Sequence, residues 1–307
     1  MVNECLEKVK NDYLKFINKE KIYRKSVSLH INILKKIYIP IAFWINKKCQ
    51  EKGETLFIGL SASQGSGKTT VANILSIILR KFFKKRIFVI SIDDFYKTLN
   101  ERNQIAKKKH PLFKTRGVPG THDINLIKNF FISIKKKKFK KIKLPKFNKS
   151  TDDRFKKKYW YKINQKPEIV ILEGWCVGAK ACSNVSLKKS INALERHEDK
   201  YLIWRKLVND KLKKEYKNVF SMIDHYIFMR APNFNVVFNW RLLQEKKLKK
   251  RNRYKKKIMS YLSIKRFIMF YQRITLQMIQ DLSKSASVVM FLKKNHEVKK
   301  VLFRSQK

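Results

Sequence analysis

An α/β fold with a mostly parallel sheet flanked by helices follows from three features of this 307-residue chain. Five short runs, at 55–60, 86–92, 168–172, 225–229 and 287–292, are apolar on both faces, as strands buried between helices must be. Stretches of helical periodicity separate several of these runs, the alternation that builds parallel sheets. The first run opens into a glycine-bearing loop and then an apolar pattern of helical spacing, so strand, loop and helix follow one another directly.

The chain before that unit reads as helices without catalytic signatures. Ile33 and Ile37 stand four apart, and Ile41, Trp44 and Ile45 continue the same face, so the segment is expected to pack on the core. Pro40 cannot donate an interior hydrogen bond and is expected to kink or restart this helix. The expected organisation is a helical extension over 1–54 packed on an α/β domain over 55–307. Within the domain, 133–162 carries the densest lysine runs and reads as a surface insertion.

The unit at 56–79 is the most informative stretch. Leu56-Phe57-Ile58 leads into Gly59-Leu-Ser-Ala-Ser-Gln-Gly-Ser-Gly-Lys-Thr-Thr70, and Val71, Ile74, Leu75, Ile78 and Leu79 then recur at helical spacing. Gly65 and Gly67 let successive backbone N–H groups face a concavity, and the helix start adds its positive end. Lys68 reaches the terminal phosphates of a nucleoside triphosphate, and the Thr69 hydroxyl is suited to Mg²⁺. Gln64, Gly65, Ser66, Gly67, Lys68, Thr69 and Thr70 are therefore the expected nucleotide cradle. The general pattern has glycine where this chain has Ala62, which fits if φ there stays negative.

Carboxylates end two further strands. Ser91-Ile92-Asp93-Asp94-Phe95-Tyr96 closes the second, where ligands gather at strand carboxyl ends. Asp93 is the candidate base for an acceptor hydroxyl, with Asp94 in a supporting or metal-side role; paired aspartates also form turns and caps. Ile169-Val170-Ile171-Leu172-Glu173 ends in an acid placed to hold Mg²⁺ with Thr69. Between them, 110–123 concentrates proline and glycine and reads as a shaped loop. Its Arg116, His122 and Asp123 either line an acceptor pocket or, for the last two, cap a helix beginning at Ile124.

Composition adds limits. Lys and Arg number 73 against 23 acidic residues, a net charge of +50. The lysines are scattered rather than gathered on one element, which fits codon drift better than a surface shaped for nucleic acid. No specific nucleic-acid or membrane partner is expected. Four cysteines without paired spacing argue against a zinc site or disulfide framework, and a cytoplasmic location is expected. Tyr38 to Ile45 is too short to span a bilayer.

Taken together, the loop at 61–70, Ser-Ile-Asp-Asp-Phe-Tyr, Arg-Gly-Val-Pro-Gly-Thr-His-Asp, Glu-Gly-Trp, the stretch 144–154 and Asn239-Trp-Arg-Leu-Leu-Gln-Glu245 resemble phosphate-loop kinases of the D-glycerate 3-kinase type. The likeness runs over about 55–292, and relatives of that family include uridine, phosphoribulose and pantothenate kinases. The resemblance implies a P-loop NTPase fold, ATP and Mg²⁺ as cofactors, and a small-molecule hydroxyl acceptor. It also implies roles: Asp93 as base, Glu173 near Mg²⁺, and Arg116, His122, Asp123, Lys149 and Arg154 around the acceptor. Arg241 is similar to a lid arginine that closes on the phosphates and, with Lys68 and Asp93, makes up the expected catalytic set. Two positions depart from the family, Asn148 and Gln272, where acidic residues are usual. The expected function is ATP-dependent phosphorylation of a small hydroxylated molecule, D-glycerate among the candidates. A nucleic-acid-associated ATPase and a binding-only protein stand as alternatives.

Overall fold

All five apolar runs form strands of one sheet in the computed structural model, which describes residues 1–22, 26–251 and 259–304. Three helices lead in, α1 (Val2–Lys19), α2 (Val27–Ile33) and α3 (Ile39–Lys52). Strand β1 (Leu56–Ala62) and helix α4 (Lys68–Lys81) flank the glycine loop, and β2 (Ile87–Ser91) follows. Helices α5 (Leu99–Lys108) and α6 (Ile124–Lys135) precede four short strands, β3 (Ile142–Leu144), β4 (Phe147–Asn148), β5 (Asp153–Arg154) and β6 (Tyr161–Ile163). Then come β7 (Ile169–Gly174), α7 (Asn184–Lys188), α8 (Ala193–His197), α9 (Ile203–Lys211), α10 (Lys217–Phe220) and β8 (His225–Arg230). The chain finishes with α11 (Phe234–Arg251), α12 (Tyr261–Ser285), β9 (Val288–Leu292) and β10 (Val298–Phe303).

The main sheet runs β10-β9-β8-β1-β7-β2, parallel except for the β9–β10 pair. Every residue of β1 and β7 is buried, which explains why these strands read as continuous apolar runs. Along β1 the side chains alternate between two cores. Leu56, Ile58, Leu60 and Ala62 join α1, α3 and α4 on one face, and Phe57 joins α6, α9 and α12 on the other.

The N-terminal helices share the first of these cores. Cys5, Val9, Tyr13 and Ile17 recur every four residues on α1 and are all buried in it. The expected stripe through Ile33 and Ile37 is displaced, however. Residues Leu34–Tyr38 form a π-helical turn between α2 and α3, and its extra residue puts Leu34 and Ile39, five apart, into the core. Ile33 and Ile37 are left half-buried. Pro40, which lacks the N–H that a tighter turn would use, follows at the start of α3. The proline thus re-phases the helix instead of breaking it.

The lysine-rich segment does more than decorate the surface. Its strands pair β3 with β6 and β4 with β5, and Leu144, Phe147 and Ile163 are buried. The turn between β4 and β5 consequently overhangs the end of β2. Among the described residues no helix is long and apolar enough to cross a membrane.

Because Ile45 is fully buried in the core shared by α3, α4 and β1, Ile45→Ala is expected to destabilise the whole protein by about 3 kcal/mol. Denaturant unfolding followed by circular dichroism and by tryptophan fluorescence should move as one transition. Separation of the two signals would show that the leading helices melt alone.

Candidate active site

The register of the parallel strands brings the functional ends together. Glu173 on β7 stands opposite Leu60 of β1 on one side and Ser91 of β2 on the other. The glycine loop after β1, the acid ending β7 and the aspartates following β2 therefore meet at one edge, beside the point where the strand order reverses.

In the loop, Gly65 and Gly67 adopt φ of +74° and +90°, conformations that L side chains rarely take. Space also forbids a side chain at Gly65, where a Cβ would lie 2.9 Å from the backbone carbon of Trp240. Ala62 lies within β1 and has no positive φ, as its place in the loop pattern requires. Ser66 Oγ donates to the Ser63 carbonyl at 2.7 Å, holding the curl. Helix α4 begins at Lys68 with no side-chain cap, so its first N–H groups are available to an anion. Gly65, Gly67, Lys68, Thr69 and Thr70 line a cavity of about 230 Å³ closed by Trp240, Leu243, Gln244 and His296. Both side-chain polar atoms of Gln64 are buried without a hydrogen-bond partner.

Thr69 Oγ1 donates to Glu173 Oε1 at 3.0 Å. Glu173 is 4% exposed, and its Oε2 has no partner. A buried carboxylate oxygen left unpaired beside a hydroxyl fits a hard cation. Among the described residues no three His, Cys, Asp or Glu side chains cluster as a ready-made metal cage. The donor set accordingly suits an ion that takes its remaining ligands from phosphate and water.

Asp93 sits in the short 3₁₀ segment Ile92–Phe95, with its N–H bonded to Ser91 Oγ. Its carboxylate accepts from Tyr96 Oη at 2.8 Å and from Lys149 Nζ at 2.5 Å. Burial alone would raise its pKa, but the charges of Lys149 and Lys68 hold it well below the usual carboxylate range. Lys149 in turn is pushed up, chiefly by Asp93, although its side chain is 61% exposed. Asp94 behaves oppositely. Burial, assisted by the Asp93 charge, raises it to about 6 even though it accepts from the Phe147 N–H.

The remaining expected acceptor residues are partly engaged with one another. Arg154 donates to the Tyr96 carbonyl at 2.7 Å and to Asp123 Oδ2 at 3.1 Å, while Asp123 Oδ1 caps α6 through the Leu126 N–H. Asp123 thus serves as cap and ion-pair partner at once. Arg116 pairs with Asp152 and lies over the Phe147 ring. His122 is 1% exposed, stacks on Tyr96 at 4.6 Å and shares a 2.6 Å hydrogen bond with Tyr216 Oη. Burial lowers its pKa to about 4, so it is neutral, enclosed behind Tyr96 rather than facing the open side. Arg241 is also turned away from the phosphate cavity: it pairs with Glu245 at 2.6 Å and packs over the Phe267 ring. Gln272 accepts from Asn192 Nδ2 at 3.1 Å, and Asn148 Oδ1 accepts from the Ser150 N–H at 3.0 Å.

Several supports were not visible in the sequence. Arg102 is fully buried and donates to the carbonyls of Lys97, Lys114 and Asp152, fastening α5, the 110–123 loop and the β4–β5 turn together. His296 reaches across from the β9–β10 hairpin to the Gly65 carbonyl at 2.9 Å while stacking on Trp240. Neither carries a local signal. Tyr96 could have been suspected, standing three residues after Asp93 on the same turn.

These elements define a phosphate-loop kinase, and comparison with known proteins agrees. Residues 57–185 match the phosphoribulokinase/uridine kinase family. An uncharacterized kinase, mug58, of Schizosaccharomyces pombe is 32% identical over 226 residues, 71% of this chain and 80% of that protein. The chloroplastic D-glycerate 3-kinase of Arabidopsis thaliana is 30% identical over 225 residues, 68% of this chain and 47% of that one. A solved D-glycerate 3-kinase from Cryptococcus neoformans shares the fold with a TM-score of 0.72 at 21% identity, covering 87% of this chain and 99% of its own. The chain belongs to the phosphoribulokinase/uridine kinase family. It is an ATP-dependent small-molecule kinase.

The raised pKa of Asp94 has a consequence for stability. The folded state holds this proton more tightly than the unfolded chain, so stability is lost as pH rises from the ordinary value of 3.8 through about 6. Asp94→Asn keeps an acceptor for the Phe147 N–H but does not titrate. Thermal unfolding is expected to show a gain of roughly 2 °C or more at pH 7 and none at pH 4; an equal change at both would assign the effect to packing.

Proposed function

We propose that this kinase transfers the γ-phosphoryl group of ATP to a hydroxyl of a small anionic acceptor, with D-glycerate the first candidate. The observation that carries the reading is Asp93, half-buried and ionised between Lys149 and Lys68 beside the phosphate loop. In this reading the loop 64–70 cradles the triphosphate, and the Lys68 ammonium neutralises charge on the transferred group. Mg²⁺, held by Thr69 and Glu173, would supply further neutralisation of the phosphates. Asp93 accepts a hydrogen bond from the acceptor hydroxyl and takes its proton as the new phosphorus–oxygen bond forms and the γ-phosphorus bond to the departing ADP breaks. Arg241 leaves Glu245 and joins the phosphates when the site closes.

The acceptor side is cationic. Lys149 is the most accessible of the group, and a carboxylate arriving beside it gives the ammonium a second anion to pair with, loosening its hold on Asp93. Arg116 and Arg154 stand behind it, with Asp123 and His122 fixing the loop that carries them. The relative named for D-glycerate in Arabidopsis supports that acceptor. Residues 1–54 are taken as a helical extension of the kinase domain at 55–307. A cytoplasmic location belongs to the same reading, supported by four free cysteines.

The direct test incubates the protein with Mg²⁺, ATP and, separately, D-glycerate, other hydroxy acids, nucleosides and pantothenate, and detects the phosphorylated product. Phosphorylation of a hydroxy acid is expected. ATP consumption stimulated by nucleic acid and by no small molecule would sink the proposal.

Asp93→Asn is expected to lower kcat by about 10²-fold or more while ATP affinity stays within a few-fold. A parallel fall in ATP binding, measured by calorimetry, would instead make Asp93 a nucleotide-binding residue.

A further inference from the structure

The phosphate cavity does not end at the glycine loop. It continues, through Gly65, Gly67, Thr70, Leu243 and His296, into a second cavity of about 260 Å³. The first turns of α4 form its floor with Thr70, Val71 and Ile74, and Asn295–Val298 of the β9–β10 hairpin form one rim. The facing wall comes from the opposite end of the chain: Tyr13 and Ile17 of α1, Ile22, and Ile33 and Tyr38 around the π-helical turn. All of these wall residues precede residue 57, where the family match begins.

We propose that the N-terminal helices form a wall of the nucleotide-base subsite, so that the adenine ring of ATP lies between Tyr13, Ile33 and Tyr38 on one side and the Asn295–Val298 hairpin on the other. The direction follows from the loop. Once the triphosphate is seated on the N–H groups at the start of α4, its γ end faces Asp93, Lys149 and Glu173, and its ribose and base must leave by the other side. That exit is this cavity. A base is flat and apolar on its faces and polar at its edges; the cavity offers apolar and aromatic side chains across its width and the hairpin backbone at its rim. The rim is held to the loop by His296, bonded to the Gly65 carbonyl at 2.9 Å and stacked on Trp240 at 4.5 Å. The π-turn has a purpose in this arrangement: it is the segment that carries Tyr38 to the wall while Leu34 and Ile39 stay in the core.

The inference rests on the ATP-dependent reading of the loop, and the test separates the two. Inorganic tripolyphosphate can occupy the loop but has no base. Calorimetry on the full chain compares ATP with tripolyphosphate for the wild type, Ile33→Ala and Tyr38→Leu. Affinity for ATP should fall roughly tenfold in each variant, equivalent to about 1.4 kcal/mol, and tripolyphosphate affinity should not change. In the wild type, ATP should slow amide hydrogen exchange over α2 and the Leu34–Tyr38 turn more than tripolyphosphate does, a readout that needs no variant. Equal weakening of both ligands would overturn the wall, since the helices would then act only by supporting the loop. Unchanged ATP affinity with equal exchange protection by the two ligands would overturn it too. A wild-type protein that bound neither ligand would remove the kinase reading and this inference together.

Discussion

The site depends on a register. Glu173 is level with Leu60 and Ser91 only because β1, β7 and β2 pair in parallel without a slip. A shift of one residue would turn every side chain of β7 to the opposite face and carry Glu173 away from Thr69. Burial on both faces enforces this: Val170 and Leu172 belong to one core, and Ile169 and Ile171 to the other. The chemistry at the strand ends is therefore positioned by hydrophobic packing several residues below it.

Above that scaffold the site is held by ion pairs that an anionic ligand could replace. Lys149 neutralises Asp93, Asp152 neutralises Arg116, Asp123 neutralises Arg154 and Glu245 neutralises Arg241. In a chain of net charge +50, four of the carboxylates hold these site cations in place. Pairs of this kind contribute little net stability when exposed, but they fix geometry and hold the cations ready for phosphate or carboxylate.

Much of the fold was legible because its signals are local. Each strand is a short apolar run, and the glycine loop at 59–70 announces its own conformation. Asp93 and Glu173 were legible for the same reason, as acids ending apolar runs. The π-turn at Leu34–Tyr38 was not, since Ile33, Ile37 and Ile41 also satisfy regular helical spacing, and only the shared core selects Leu34 and Ile39. The orientations of His122 and Arg241 were equally hidden. Their partners, Tyr216 and Glu245, are fixed by tertiary packing in the first case and by a choice of rotamer in the second.

Two cations bound to the β4–β5 turn and its neighbours differ in kind. Arg102 is wholly enclosed, its guanidinium fork spread over three carbonyls from three segments. Lys149 is a point charge on a long stem that reaches Asp93 from the solvent side. The first works as masonry and the second as a latch. Evolution can therefore retune which molecule opens the latch, through residues on the β4–β5 turn, without disturbing the stonework that holds the turn over the end of β2.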